Sequence, residues 1–332
     1  MKITCQVFLS VVMLVVFIFI STISSQLAAR TLPKDKSQSI EPNHIINEKL
    51  ISSNNASSNV QSNFNEPDQI LEIGVLPYIS IEGLIKAYKP LADHLQNALS
   101  REVLIVSAKD YAHFLELTEK KTYDLIITAS HFARLAQLEG TYIPLLKPLT
   151  TYHEVVVTRK DSLIKHIADL NGKQIAVPNL LAQTTILGRQ LLKRYNLDPD
   201  NDVTLIDALN HKNAIYHVLN GEVDAAIIST GGYRHSSDDV KKEIVIIQPK
   251  DGYLENRPVA IPLIYMVSND LSQNLRNKIV NIIDDFANHT EKGKDWIINK
   301  RRYKGLRAPT EKEMELLDPH VEELQNVLRM LD

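Results

Sequence analysis

The sequence predicts an α/β fold: mainly parallel sheets flanked by helices and arranged as two lobes around a ligand cleft. Short β-branched runs such as LEIGV and YDLIIT alternate with segments whose apolar residues recur every three or four positions. Short buried strands that alternate with helices are typical of parallel sheets covered on both faces. Two such series follow one another along the chain. This repetition indicates two lobes, and ligands of such folds bind where the lobes face each other.

The first series of elements starts at residue 70. The strand LEIGVLP precedes a helix predicted from about Glu82 to Leu99. The apolar positions of this helix recur at helical spacing and are Leu84, Ala87, Leu91, Leu95 and Leu99. The strands EVLIVSA and YDLIITA follow, and helices are predicted after them, from about Tyr111 and from about His131 to Leu138.

The second series starts near Val155 with the strand VVVTRK. It continues with the strand QIAV, the helix QTTILGRQLLKRY, the strand VTLIDA, a helix over about Lys212 to Leu219, and the strands VDAAIIS and EIVIIQP. The strand VAIPLIYMVS and a long amphipathic helix then return the chain to the first lobe. We therefore predict lobe 1 at 70–153 and 257–332, and lobe 2 at 154–256. The amphipathic C-terminal stretch EKEMELLDPHVEELQNVLRMLD is expected to pack back on lobe 1.

The first 69 residues are predicted to stand outside the folded part. Residues 1–29 contain the apolar run Val7–Ile20, which is nearer in length to a signal-peptide core than to a full membrane span. We expect a signal peptide there, and an uncleaved N-terminal membrane anchor is the alternative. Residues 30–69 form a Ser/Asn-rich leader with too few periodic apolar positions for a core, and this leader is predicted to be disordered. The expected location is therefore the periplasm or another extracytoplasmic space, either free or held at the inner membrane.

Composition and motifs argue against several classes of function. The net charge of −3 leaves no basic surface that would favour nucleic acid as a partner. The single cysteine, Cys5, lies within the N-terminal segment, so no thiol chemistry or cysteine metal site is expected in the folded part. The chain contains no G-x-S-x-G, P-loop, H-E-x-x-H or G-x-G-x-x-G motif. We therefore expect neither an enzyme nor a protein that holds a metal or cofactor.

An ordered set of segments resembles a known family. GVLPYIS, YKPLADHLQ, YDLIITASHFARL, TYHEVVVTRKDSLIKHIADLNGKQIAV and NHKNAIYHVLNGEVDAAIIS are similar, in order and spacing, to the phosphate/phosphite/phosphonate family of periplasmic solute-binding proteins of ABC transporters. The resemblance implies a type II periplasmic-binding-protein fold that clamps a small anionic or zwitterionic ligand. It also implies an ABC permease as partner. A sensor that reports ligand to a membrane signalling partner is the first alternative, and an enzyme on the same fold is the second.

The resemblance also implies a set of ligand-binding positions. Carried onto this chain, they are Tyr78, Tyr111, Ser130, His131, Tyr152, Gln183, Thr184, Thr185 and His211. Six of them have an alternative interpretation from their position alone. The two threonines and His211 stand at helix starts, where they would serve as caps; Tyr111 would pack in the core, Tyr152 in the hinge, and His131 would lie on the surface.

Three segments depart from the usual pattern of the family. The helix start of lobe 2 reads LLAQTT at 180–185, where the family has a Ser-Thr-Ser-Gly-like run. The loop after the third strand reads ASHF where Pro-Ala-x-Tyr is usual, and Glu154 replaces a common serine. A carboxylate at that point would favour a cationic group on the ligand. The resemblance thus implies an oxyanion site whose cradle holds fewer hydroxyl groups than is usual.

Overall fold

The computed structural model describes residues 70–247 and 260–331 of the 332-residue chain. The predicted N-terminal segment at 1–29 and the leader at 30–69 lie outside these residues. Within the described ranges, no helix combines the length and the apolar character that are needed to cross a bilayer.

The elements alternate as predicted. The strands are β1 (Leu71–Val75), β2 (Val103–Val106), β3 (Leu125–Thr128), β4 (Tyr142–Pro148), β5 (Glu154–Arg159), β6 (Lys173–Val177), β7 (Val203–Asp207), β8 (Ala225–Ser229), β9 (Ile244–Ile247), β10 (Ile264–Ser268) and β11 (Leu306–Arg307). The α-helices are α1 (Ile81–Leu99), α2 (Tyr111–Glu119), α3 (Ser130–Leu138), α4 (Gln183–Arg194), α5 (His211–Leu219), α6 (Thr230–Arg234), α7 (Asp238–Glu243), α8 (Gln273–His289), α9 (Glu291–Lys294), α10 (Glu311–Glu315) and α11 (Asp318–Leu331). A 3₁₀ turn covers Ile167–Leu170, and a π-helical turn covers Asp295–Lys300.

The strands of the described residues form two sheets. The first sheet has six strands in the order β11-β4-β10-β3-β1-β2, and the second has five in the order β7-β6-β8-β5-β9. In the first sheet β1 pairs in parallel with β2 and β3, whereas β10 runs antiparallel to β3 and β4. In the second sheet β6 pairs in parallel with β7 and β8, whereas β5 runs antiparallel to β8 and β9. Both sheets are therefore mixed, not mainly parallel, because β5 and β10 follow the passages of the chain from one sheet to the other.

Apolar side chains cover both faces of each sheet. In β10 of the first sheet, Tyr265 and Val267 belong to one buried cluster and Ile264 and Met266 to the other. This alternation follows from the two-residue period of a strand, because successive side chains point to opposite faces. The second sheet is covered in the same way by two further clusters. Each sheet is therefore buried on both faces, and one cluster of the first sheet also includes Leu181 and Ile186 from the start of α4.

Two features tie the sheets together. Tyr152, just before β5, forms an antiparallel bridge with Ala260, and its N–H donates to the Ala260 carbonyl over 3.2 Å. The C-terminal helix α11 packs on α3 of the first sheet and also on α4 of the second. The C-terminal stretch thus contacts both sides of the molecule, which is more than the expected packing on lobe 1.

Candidate functional site

The polar residues after β1 and β3 lie at one edge of the first sheet. These strands are parallel neighbours, so their carboxyl ends meet at the same edge. Tyr78 follows β1, and Ser130 opens α3 directly after β3. Ser130 is fully buried. This edge faces the start of α4, the helix that follows β6 of the second sheet.

A glutamine side chain joins the two sides. Gln183, the first residue of α4, donates from Nε2 to Ser130 Oγ over 2.5 Å. Its Oε1 accepts a hydrogen bond from the Tyr152 hydroxyl over 3.0 Å. Only 3% of Gln183 is exposed. Three of the predicted site residues therefore form one continuous network that runs from the first sheet, through the helix start, to the passage between the sheets.

The two threonines of the helix start have different roles. The hydroxyl of Thr185 donates to the Asn179 carbonyl over 2.6 Å, so it stabilises the turn before α4. Thr184 lies beside Tyr152 instead and lowers the pKa of its phenol. The N-cap residue Ala182 makes no side-chain capping bond, which leaves the first N–H groups of this helix without the usual cap. Thr184 and the helix start therefore face the Tyr152 network.

Tyr152 and Tyr111 are half-buried phenols that lie close to each other. Burial raises the pKa of Tyr152, the adjacent Thr184 lowers it, and neighbouring Tyr111 and Glu154 raise it again. Burial also raises the pKa of Tyr111, and the proximity of Tyr78 and Asp207 adds to that effect. Both phenols stay protonated at neutral pH and can donate hydrogen bonds. Tyr111 also makes an edge-to-face contact with Phe132, with ring centroids 6.1 Å apart.

His131 is buried and does not lie on the surface. Its Nε2 is 2.9 Å from the Leu181 carbonyl oxygen, which can only accept, so Nε2 carries the proton. Burial is the main cause that lowers the pKa of His131 to about 3, although the Leu181 bond opposes it. A neutral His131 thus joins α3 to the turn before α4. This contact links the two sides of the protein. It also occupies the Nε2 proton, which His131 would otherwise donate to a ligand.

His211 lies in a separate contact. It opens α5, and the Ser229 N–H donates to His211 Nδ1 over 3.4 Å at the carboxyl end of β8. Burial lowers the pKa of His211 to about 4. Gly232 lies so close that a Cβ built there would be 2.8 Å from the His211 Cβ. Like Thr185, whose hydroxyl donates to the Asn179 carbonyl after β6, His211 has its hydrogen-bond partner on the second side of the protein.

Sequence reasoning missed a cationic group next to Tyr78. Arg301 Nη2 donates to the hydroxyls of Tyr78 and Tyr88, over 2.9 and 2.7 Å. Its guanidinium carbon lies 4.5 Å from the ring centroid of Tyr88 and 5.5 Å from that of Tyr303. The run NKRRYKG carries no local signal that separates half-buried Arg301 from its exposed neighbour Arg302. A buried tyrosine on α1 and an arginine more than 200 residues later meet only in the folded chain.

Glu154 is the one acid buried beside this network in the described residues. It is 2% exposed, it opens β5 opposite Ser229, and it raises the pKa of Tyr152. The site thus combines hydroxyl donors, a helix start, a guanidinium and one carboxylate. Such a set can hold an oxyanion through its donors and a cationic group through its carboxylate.

The sequence matches a family described as "ABC transporter, phosphonate, periplasmic substrate-binding protein" over residues 73–314. The chain belongs to this family. As a periplasmic substrate-binding protein of the phosphonate ABC transporter family, it acts outside the cytoplasm and has the family's two-sheet α/β fold.

Solved structures share the fold of this substrate-binding protein. XAC2383 from Xanthomonas citri, solved with chloride, is 17% identical, with a TM-score of 0.66 over 79% of this chain and 99% of that one. PhnD1 from Prochlorococcus marinus, in complex with methylphosphonate, is 14% identical, with a TM-score of 0.65 over 78% of this chain and 98% of that one. A binding protein component of an ABC phosphonate transporter from Pseudomonas aeruginosa is 15% identical, with a TM-score of 0.60 over 79% and 97%. The predicted type II periplasmic-binding-protein fold is confirmed.

Proposed function

We propose that this protein binds a small phosphorus oxyanion, such as a phosphonate or phosphate, between its two sheets and passes it unchanged to an ABC permease. The observation that supports this most is the network of Ser130, Gln183 and Tyr152, which joins both sheets at the start of α4. A ligand seated there would contact both sides at once. Its binding would then favour the arrangement in which the sides are close together.

The chemistry of the network favours an anion. The helix start carries a partial positive charge and N–H groups that lack a side-chain cap, and Thr184 stands beside it. Tyr111 and Tyr152 add two protonated phenols. Glu154 at the same place supports a zwitterionic variant of the ligand, such as an aminoalkylphosphonate, because its carboxylate would match an ammonium group.

The two sheets support a clamp built from two lobes. We assign residues 70–153 and 257–332 to lobe 1 and 154–256 to lobe 2, with Tyr152 and Ala260 in the two passages between them. The nine predicted positions are proposed as the ligand site, with Tyr152, Gln183 and Thr184 at its centre. We propose that residues 1–29 direct export; whether they are cleaved or retained as an anchor would be read from the N-terminus of the mature protein.

A ligand screen on the purified protein tests the function. Methylphosphonate, phosphite, inorganic phosphate, aminoethylphosphonate, alkyl sulfonates and carboxylates are added, and the melting temperature is followed. A ligand that binds the folded state at 100 times its Kd stabilises it by about 2.7 kcal/mol. We expect a clear rise with a phosphorus oxyanion. No rise with any of them would contradict the proposed ligand class.

Variants then test the site. Tyr152→Phe and Thr184→Ala remove one hydroxyl each and should weaken binding about five- to tenfold, since a hydrogen bond contributes about 0.5–1.5 kcal/mol and more to a charged group. Tyr216→Phe is the matched control, because Tyr216 is exposed on α5. Equal affinity of the site variants and the control would remove these residues from the site.

The absence of turnover is tested separately. Phosphorus NMR of the ligand after long incubation should show the starting compound only, and a new phosphorus signal would favour the enzyme alternative. Tight binding without any transfer by a permease would favour the sensor alternative.

A further inference from the structure

Arg301 carries a positive charge that the described residues leave without a carboxylate partner. Its guanidinium contacts the hydroxyls of Tyr78 and Tyr88 and the rings of Tyr88 and Tyr303, and it lowers the pKa of Tyr303. No aspartate or glutamate in residues 70–247 or 260–331 lies within ion-pair distance of its guanidinium. A half-buried guanidinium loses part of its hydration, and an anion placed nearby would compensate for this loss.

A count of protons shows which hydroxyl can serve a ligand. Arg301 Nη2 donates one hydrogen to Tyr78 and one to Tyr88, so both phenol oxygens are acceptors there. The two phenol oxygens are also 3.2 Å apart, which allows one hydroxyl to donate to the other. Of the two phenol protons, one lies between the two phenol oxygens, and the other remains available for a further hydrogen bond.

Burial decides where the remaining proton lies. Tyr88 is 0% exposed on α1, whereas Tyr78 is half-buried at the carboxyl edge of β1. If Tyr78 donated to Tyr88, the proton of Tyr88 would be buried without an acceptor, which is costly. Tyr88 therefore donates to Tyr78. The Tyr78 hydroxyl is left with one free proton at the sheet edge, where Tyr111 also lies.

Further donors around Arg301 lack acceptors. The Nε of Arg301 and the hydroxyl of Tyr265 are both buried and have no hydrogen-bond partner among the described residues. Tyr265, the second residue of β10, is 0% exposed, and the charge of Arg301 lowers its pKa against the effect of burial. Within residues 70–247 and 260–331, these donors without acceptors are grouped around a positive charge that no carboxylate balances, which indicates a region built to face negative charge.

On the basis of the proposed function, we propose that Arg301 is a positioning residue for the oxyanion. It holds a positive charge behind the Tyr78 hydroxyl, so that this hydroxyl donates more strongly to an anionic oxygen than to a neutral one. The hydrogen bonds that run from Arg301 through Tyr78 to the ligand would thus select charged oxyanions. Tyr88 donates to the other lone pair of the Tyr78 oxygen, so the Tyr78 proton can point only towards the ligand. Hydrogen bonds that involve a charged group are roughly twice as strong as neutral ones.

The test measures methylphosphonate and inorganic phosphate affinity by calorimetry. Arg301→Met keeps the apolar stem over Tyr88 and removes the charge, and we expect about tenfold weaker binding or more. Arg301→Lys restores the charge and should recover most of that loss. Arg302→Met is the matched control, because Arg302 is the exposed neighbour and should bind like wild type.

A double-mutant cycle separates this role from a structural one. If the charge acts through Tyr78, Arg301→Met should add little to the effect of Tyr78→Phe, whereas two independent effects would multiply. If Arg301→Met does not fold, Arg301→Gln takes its place, because it keeps a polar donor without the charge and must also lose about tenfold. Wild-type affinity in either single variant overturns the inference while the proposed function stands. Wild-type protein that binds neither probe overturns both.

Discussion

Removal of Glu323 should destabilise the protein more than the loss of any surface acid. Glu323 lies on α11, and its side chain is 6% exposed. It accepts from Arg189 Nε over 2.6 Å and from Lys193 Nζ over 2.5 Å, both on α4. Arg189 also donates to both carboxylate oxygens of Asp200, over 2.7 and 3.0 Å. A buried network of ion pairs thus joins the C-terminal helix α11 to α4, which packs on the second sheet.

The loss of stability in Glu323→Ala depends on how well Arg189 and Lys193 are still compensated. Removal of one partner of a buried ion pair costs about 3–5 kcal/mol because the other charge stays buried. Arg189 keeps its two bonds to Asp200, and Lys193 is 43% exposed and can regain water. We therefore expect a loss at or just below the lower end of that range, about 2–3 kcal/mol in the free energy of unfolding.

Urea unfolding, followed by circular dichroism, measures this loss. The matched control is Glu116→Ala, since Glu116 pairs with Lys120 on the surface of α2 and both side chains are more than half exposed. Such a pair contributes about 0.3–0.5 kcal/mol. A Glu323→Ala protein that unfolds at the same urea concentration and with the same slope as the Glu116→Ala control would show that desolvation of the buried network cancels its attraction.

Two further predictions concern packing and pH. Gly188→Ala should destabilise the protein by about 1–3 kcal/mol although alanine favours helices, because its Cβ would lie 2.7 Å from the Ile227 Cγ2 atom in the second sheet. Gly231→Ala in α6, whose Cβ would meet nothing closer than 3.5 Å, is the thermal-melting control and should be at least as stable as wild type. Acid should also destabilise the protein: burial lowers the pKa of His131 to about 3 and of His320 to about 4, so the unfolded chain takes up these protons first. Stability should therefore fall as the pH drops below about 6.5, by about 2 kcal/mol per histidine at pH 5, and an unchanged urea midpoint between pH 7 and pH 5 would contradict this.

The elements were predictable because their signals are local. The helix predicted from about Glu82 to Leu99 is found at Ile81–Leu99, and the one predicted from about Lys212 is found at His211–Leu219. Both have apolar residues at helical spacing and a side-chain cap, from Ser80 and Asn210. Strand direction was less predictable. A run such as VVVT reads the same in a parallel or an antiparallel pair, so the antiparallel placement of β5 depends on the route of the chain between sheets.

The site could be predicted as a set of positions but not as a set of contacts. The order of segments led to Tyr152 and Gln183, and the structure places them 3.0 Å apart through their side-chain oxygens. Nothing in the sequence indicated that Gln183 also reaches Ser130, because that bond joins residues 53 positions apart. Arg301 was missed for the same reason, since its partners Tyr78 and Tyr88 are more than 200 positions away.

The contacts between the two sides set the scale of any opening motion. The Gln183 to Ser130 bond, the His131 to Leu181 bond and the packing of α11 all lie between elements of different sheets. Water replaces much of a broken hydrogen bond, so each bond accounts for about 0.5–1.5 kcal/mol. The two bonds together amount to about 1–3 kcal/mol, whereas a ligand with micromolar affinity supplies about 8.2 kcal/mol. A ligand that touches both sides can therefore offset the loss of these two bonds. The helix α11 is held to α3 through Arg134 and Asp318 and to α4 through Arg189 and Glu323, so it would have to part from one of them as the sheets separate.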